Sequence, residues 1–392
     1  MRIIVQKYGG KSVANIDRIR QVASRIVNRH IAGEGLVVVV SAMADTTDEL
    51  IGYANSISRS PSERELDMLL TAGERISMAL LSMAIWDLGH SAISFTGSQS
   101  GIITDDVHTR ARIVEIRASR IIEELHKGRI VIVAGFQGVS GKREVTTLGR
   151  GGSDTTAVAL AGALGAERCE IYSDVDGLYS IDPKISDNAI HIDQIDYNTL
   201  FDLAFFGAQV IHPRAVEMAR KYNIPILLAS STKEGKHTMI KSKAMEGATF
   251  FGVSIQPEII WFNLKIPIDK LYLFWEELER IRTSIRNPAL QISDDLGYLN
   301  FWTLPANSDE IEGVLKLFPE IESKTEKLAL ISISGWGLAE SPQANADIIN
   351  ILKKHSIHFH YIGNTNQSIF IMVDRDNSKN AMEIIHRKLV KK

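Results

Sequence analysis

The chain of 392 residues contains one cysteine, Cys169, which excludes an intramolecular disulfide and a cluster of thiolate metal ligands. It also lacks an excess of either charge. Its 44 basic and 47 acidic residues leave a formal net charge of -3, which gives no footing for nucleic-acid or membrane binding. Long apolar runs are missing: Leu36 to Ala44 and Ala157 to Ala166 are far shorter than a bilayer requires and read as buried elements. The first expected strand begins almost at Met1, leaving no room for a signal peptide, so a cytoplasmic location is expected.

The length predicts two or three domains. From Met1 to about Ser231 the pattern alternates strand and helix. Strands are expected at Arg2 to Gln6, Leu36 to Val40, Ala92 to Phe95, Ile130 to Ala134, Glu170 to Ser173 and Ile224 to Leu228. A helix from Asn15 to His30 carries Ile16, Ile19, Ala23, Ile26 and Val27 on one face, and a longer one runs from Ser62 to Leu88. This order predicts an αβα sandwich with a mostly parallel central sheet over residues 1–232. A polar linker is expected over 233–247. Two small ferredoxin-like α+β units are expected over 248–392, the second clearer than the first, which has strands near Phe251 to Ile255 and Ile259 to Ile266.

Two glycine-rich stretches carry the chemistry: Lys7-Tyr8-Gly9-Gly10, and Gly149-Arg150-Gly151-Gly152-Ser153-Asp154-Thr155-Thr156. Loops with little side-chain bulk let phosphate approach backbone N–H groups, and a helix N-terminus adds partial positive charge. Lys7 could reach phosphates held by its loop. Gly10-Lys11-Ser12 imitates the end of a Walker A loop, but Val5 stands where that motif needs a glycine. Arg150 can grip a carboxylate bidentately, and Ser153 or Asp154 can cap the following helix. A third stretch, Ser173 to Lys184, follows a strand and offers aspartates to a ribose or adenine and Lys184 to a phosphate. Two facing anion loops point to a small-molecule kinase. His355, His358 and His360 have no carboxylate or thiolate near them in sequence, so they read as strand-end residues and no protein-held metal is expected. Phe262, Phe274, Trp275, Phe301 and Trp302 read as core or interface residues rather than a base-stacking platform.

At this point the chain resembles the aspartate kinases of the amino-acid kinase superfamily. The likeness is carried by Val5 to Gly10, Val38 to Leu50, Leu70 to Ser77, Ser94 to Gly101, Gly135 to Gly138, Thr146 to Ala161, Cys169 to Lys184 and Gly207 to Glu217. The C-terminal part is similar to the tandem ACT units that bind regulatory amino acids in that family. The resemblance implies transfer of the ATP γ-phosphoryl to the β-carboxylate of L-aspartate, with Mg²⁺ carried mainly on ATP oxygens. It implies catalytic roles for Lys7 and Asp154. It implies an aspartate pocket of Ser41, Thr47, Glu74, Arg150, Gly151, Gly152 and Ser153, with Glu74 on the ammonium. It implies an ATP site drawn from Lys7, Tyr8, Gly9, Gly10, Lys11 and Ser12, with Ser173, Asp174, Tyr179, Asp182, Lys184 and Gln209. A homodimer through the ACT-like units is expected.

The chain departs from the family pattern in places. Lys11 stands for a threonine in Gly-Gly-Thr-Ser-Val, Gln209 for the lysine of Gly-Ala-Lys-Val, and Ala44 for a common glycine. One phosphate-facing lysine is lost and one gained. The effector turn reads Glu340-Ser341-Pro342-Gln343-Ala344, without the usual glycine, which predicts weak feedback control. Two other readings stay open: a kinase for a different amino-acid carboxylate, and a catalytically weak ACT-containing regulatory subunit.

Overall fold

The computed structural model describes residues 1–242, 250–338 and 340–389. The chain divides into two compact units, Met1–Ser180 with Ile190–Gly247, and Ile181–Ala189 with Ala248–Lys392.

The first unit is built on an eight-stranded sheet. Its order is Gln194–Ile195, His237–Ile240, Ile226–Ser230, Arg168–Ser173, Ile3–Tyr8, Gly35–Val40, Ile130–Ala134, Ala92–Phe95. The last six run parallel. Gly35–Val40 is buried at every residue, as expected for a β-branched strand covered on both faces. On one face lie the helices Ile16–Ile31 and Glu63–Asp87, with Ile19, Val22, Ile26, Leu81 and Ile85 packed on Ile4, Leu36 and Val38. Ile16, expected on that buried face, is exposed because it opens the helix beside its capping residue Asn15. Helix Glu63–Asp87 is long and apolar enough to cross a membrane by composition, yet it buries Asp67 and Glu74 within this unit. Helix Gly152–Ala163 is buried from Gly152 to Ala161, which its small, apolar residues permit. A second sheet of four short strands, Ile113–Ile116, Ile102–Thr104, Gln137–Ser140 and Val145–Thr147, has no counterpart in the sequence reading.

The stretch read as a linker contains the strand His237–Ile240, paired antiparallel with Ile226–Ser230. Thr238 and Ile240 point inward, so the polarity of Lys233-Glu234-Gly235-Lys236 belongs to a hairpin tip. Residues 243–247 of that stretch lie outside the described residues.

The second unit is one six-stranded antiparallel sheet: Arg286–Ser293, Leu296–Thr303, Gly252–Pro267, Glu322–Ser334, Ser368–Val373, Phe359–Asn364. The two strands expected near residues 251 to 266 are one, bulged between Gln256 and Ile259, where Pro257 has no N–H to donate. Two cores lie along it. Ile260, Phe262, Phe274, Leu299, Phe301 and Ile311 fill one, with Phe262 stacked on Phe301 at 5.1 Å. Val253, Ile331, Ile348, Ile371 and Ile385 fill the other, joined by Ile181. The segment Ile181–Ala189 therefore belongs to this unit although it sits inside the sequence of the first.

Candidate active site

In an open parallel sheet ligands bind beyond the carboxyl ends of the strands. Here that edge carries Lys7 and Tyr8, Ser41, Gly135 and Ser173, each at or just past a strand end.

The first glycine loop is fixed by backbone bonds: Gly9 N–H donates to Tyr172 O at 3.2 Å and Ser12 N–H to Gly9 O at 2.8 Å. It opens into a 3-10 turn, Gly10–Val13, before the helix begins at Ile16. Gly10 lies so close to the next loop that an added Cβ would stand 2.9 Å from Ala42 O. Ala44 closes this contact by donating to Gly10 O at 3.2 Å, and it adopts φ 43°, the left-handed conformation that glycine tolerates best. Gly73 does the same for the long helix, since its Cβ would meet that of Ala42 at 2.7 Å. This approach brings Glu74 to the edge, where its carboxylate accepts the Ala42 N–H at 3.1 Å. Its other oxygen is buried with no hydrogen-bond partner, and burial raises the Glu74 pKa to about 7.

From the other loop, Asp154 reaches Lys7: Nζ and Oδ1 are 2.7 Å apart, both side chains only 12% exposed. The His212 N–H donates to the second Asp154 oxygen at 3.2 Å. Neither Ser153 nor Asp154 caps helix Gly152–Ala163 as expected. Gly151, at φ 70°, holds the cap position without a side-chain bond, and a Cβ there would collide with the His212 ring. The helix N-terminus thus carries no capping side chain, and Asp154 is engaged by Lys7. Ser153 is buried against Gly135, whose added Cβ would meet Ser153 Oγ at 2.7 Å. Arg150 is exposed and its guanidinium has no protein partner among the described residues.

Ser41 and Thr47 are half-buried beside Ala42 and in the first turn of helix Thr46–Ile57. Lys11, Ser12, Ser173 and Asp174 lie together where the first glycine loop meets the end of strand Arg168–Ser173. Lys11 Nζ pairs with Asp174 Oδ2 at 2.8 Å, largely in solvent, and Ser12 is buried against Tyr172 O. Tyr179 donates to Asp176 at 2.9 Å, and Gln209 is exposed in the turn before His212. Tyr8, by contrast, turns its ring into the core and stacks on Tyr172 at 5.0 Å, so only its backbone faces the site. Asp182 and Lys184 stand in the segment that packs with the second unit, where Asp182 accepts the Lys184 N–H at 2.9 Å.

Two positioning groups escaped the sequence reading. Asp67, fully buried, accepts from Thr147 Oγ1 at 2.5 Å and the Thr109 N–H at 3.0 Å, and lies 2.6 Å from His108 Nδ1. Arg214 donates to Leu148 O at 2.6 Å and Ala111 O at 3.2 Å, tying the second glycine loop to the start of helix Pro213–Tyr222. The only sequence signal for either is a lone charged residue inside a helical period, which is indistinguishable from a solvated face.

The sheet edge thus holds a buried lysine–aspartate pair, a helix N-terminus with no capping side chain, and a buried carboxylate with one oxygen unpartnered. The model of the amino acid kinase family matches residues 2–230. The chain is 38% identical to an aspartokinase of Geobacillus stearothermophilus, over 98% of this chain and 97% of that one. It is 53% identical to an aspartokinase of Mycolicibacterium smegmatis over 65% of this chain and 62% of the relative. Its fold superposes on Escherichia coli aspartokinase III, solved with aspartate and ADP, with a TM-score of 0.86 over the whole of both chains at 23% identity. The chain belongs to the amino acid kinase family and, within it, to the aspartokinases. It is an enzyme.

Proposed function

We propose that this chain transfers the γ-phosphoryl group of ATP to the β-carboxylate of L-aspartate, and that the carboxyl edge of the first unit performs the step. A carboxylate oxygen bonds to the γ-phosphorus while the bond to the ADP β-phosphate oxygen breaks, so no proton is exchanged. Such a reaction asks for position and neutralised charge rather than covalent help from the protein. The observation that carries the reading is the Lys7 ammonium, held by Asp154 where the two glycine-rich loops meet. There it can follow negative charge from the γ-phosphoryl to the leaving oxygen without moving through solvent.

The acceptor side suits an α-amino acid with a second carboxylate. The free, buried Glu74 oxygen fits a substrate ammonium, the unpaired Arg150 fits the α-carboxylate, and the Ser153 N–H fits an anion at the helix terminus, where the Gly152 N–H is already given to Gly149 O at 3.0 Å. ATP would lie over Gly9, Gly10 and Ser12, with Ser173 and Asp174 toward the nucleoside. Mg²⁺ would travel on its phosphates, since it keeps most of its waters. Association as a homodimer through the second unit is part of the same reading, supported by the edge strand Arg286–Ser293 with exposed Leu290 and Ile292. So is a cytoplasmic location, where both substrates are found. Trapping acyl phosphate with hydroxylamine over a panel of acidic amino acids tests the acceptor. Hydroxamate formed from aspartate alone agrees; hydroxamate from another acid, or none, contradicts it.

A further inference from the structure

The second unit brings together groups that stand apart in the sequence. His358 and His360 lie at the start of the strand Phe359–Asn364 with their rings 4.7 Å apart, edge to face. Asp374 follows the neighbouring strand Ser368–Val373, whose Val373 pairs with Phe359. Asp374 Oδ1 is 2.8 Å from His360 Nε2, and Oδ2 is 3.5 Å from His358 Nδ1. One donor atom from each of the three lies within 4.8 Å of the others. Beyond them, Glu326 Oε2 stands 3.5 Å from His360 Nδ1. The carboxylate that the histidines lack in sequence is thus supplied by the fold.

We propose that His358, His360 and Asp374 bind a divalent transition-metal ion of the zinc class, with Glu326 orienting His360 from behind. Two imidazoles and one carboxylate suit zinc, cobalt or nickel, whereas magnesium and calcium prefer sites made of oxygen alone. Ligand atoms about 2.0–2.1 Å from a tetrahedral ion stand about 3.3 Å from one another, so the present spacings need only small side-chain rotations. His360 has the arrangement that metal-binding histidines favour. With an ion bound in place of the proton between Nε2 and Asp374, the Nδ1 proton would face Glu326 Oε2, 3.5 Å away, and the Nε2 lone pair would face the ion. The neighbouring cations are already engaged: Arg375 with Glu258 at 2.6 Å, and Lys324 with Glu326 at 2.7 Å. His358 is 71% exposed, which leaves an entry path and room for water to complete the coordination. A bound ion would tie the edge strand Phe359–Asn364 to its neighbour and raise the stability of the unit by mass action.

The test uses the full chain stripped with a chelator and titrated with Co²⁺, read by its visible d–d absorption and by competition with Zn²⁺. One Co²⁺ per chain is expected, with bands of a four- or five-coordinate nitrogen–oxygen site. His360→Ala and Asp374→Asn should each remove the bands, and Glu326→Gln should weaken binding about 10–100-fold. His355→Ala, exposed and outside the cluster, should bind as wild type. The melting temperature should rise with Zn²⁺ in wild type and not in His360→Ala. Absence of the bands in wild type, or bands that survive both His360→Ala and Asp374→Asn, would overturn the site. Asp374→Asn keeps the side chain's shape, so it decides the matter should His360→Ala fold poorly.

Discussion

Lys7 and Asp154 come from two loops far apart in sequence and meet at 2.7 Å, each 12% exposed. Removing a preorganised charge from such a site typically costs about 10²–10³ in rate. Lys7→Ala and Asp154→Ala should each lose turnover by about that factor. Each also leaves the other charge without its partner, which destabilises a buried pair more than removing both. The double variant should therefore melt above either single variant while staying inactive. Turnover near wild type in either single variant would take that residue out of the mechanism.

Glu74 makes a pH prediction. Its folded pKa near 7 lies above the ordinary carboxylate value because the group is buried. The folded protein then holds a proton that the unfolded chain gives up between about pH 4.5 and 7. Stability from this group is present below that window and declines as pH rises through it, by about 3 kcal/mol. Urea unfolding should show Glu74→Gln without that decline and more stable than wild type at pH 8. The same variant should lose affinity for aspartate, whose ammonium needs the ionised oxygen. In wild type the aspartate KM should fall as pH rises through 7. An equal pH slope in Glu74→Gln would exclude it as the titrating group.

Ala44 occupies a left-handed position at φ 43° in the loop that closes on Gly10. A Cβ there costs about 1–2 kcal/mol, partly offset by the freedom glycine gains in the unfolded chain. Ala44→Gly should raise stability by up to about 1 kcal/mol, or about 2–4 °C in Tm. A lower Tm would show that the loop holds Ala44 without strain.

Lys11 and Gln209 concern charge on the transferring group. Gln209 cannot supply a cation, and Lys11 sits in the glycine loop with a long stem, now paired with Asp174 in solvent. If Lys11 swings to the phosphates when ATP binds, Lys11→Thr cripples turnover and Gln209→Lys restores it. A silent Lys11→Thr would leave Lys7 as the sole cation.

Feedback by lysine or threonine should be weak. The helix Pro342–Lys354 starts with Ser341 capping Ala344 N–H at 3.2 Å and Pro342 in the first turn, so one N–H is missing and another already used. Strong inhibition at sub-millimolar lysine or threonine would contradict this.

The parallel sheet was legible where its strands are continuous β-branched runs, as in Gly35–Val40 and Ile130–Ala134; Ala92–Phe95, with a single β-branched residue, also falls at the expected residues. Close approach of the backbone was legible in the glycine-rich stretches, at Gly10 and Gly151; Gly73, alone inside a long helix, carried no such signal. What periodicity cannot show is pairing over distance. Short strands such as Val145–Thr147 carry too few residues for a period, and the merging of two expected strands into Gly252–Pro267 depends on pairing with Glu322–Ser334. Asp67, Arg214 and the Asp374 beside His360 matter only through partners that the fold supplies.

The most direct test of phosphoryl transfer to the aspartate β-carboxylate follows an oxygen atom. L-aspartate carrying heavy oxygen in its side-chain carboxylate is incubated with ATP and the enzyme, and the product is cleaved with hydroxylamine. Attack at the carbonyl releases phosphate together with the bridging oxygen, so mass spectrometry should find one heavy oxygen in each released phosphate. ADP formation accompanied by phosphate without heavy oxygen would mean that water or another acceptor takes the phosphoryl group, and would contradict the account.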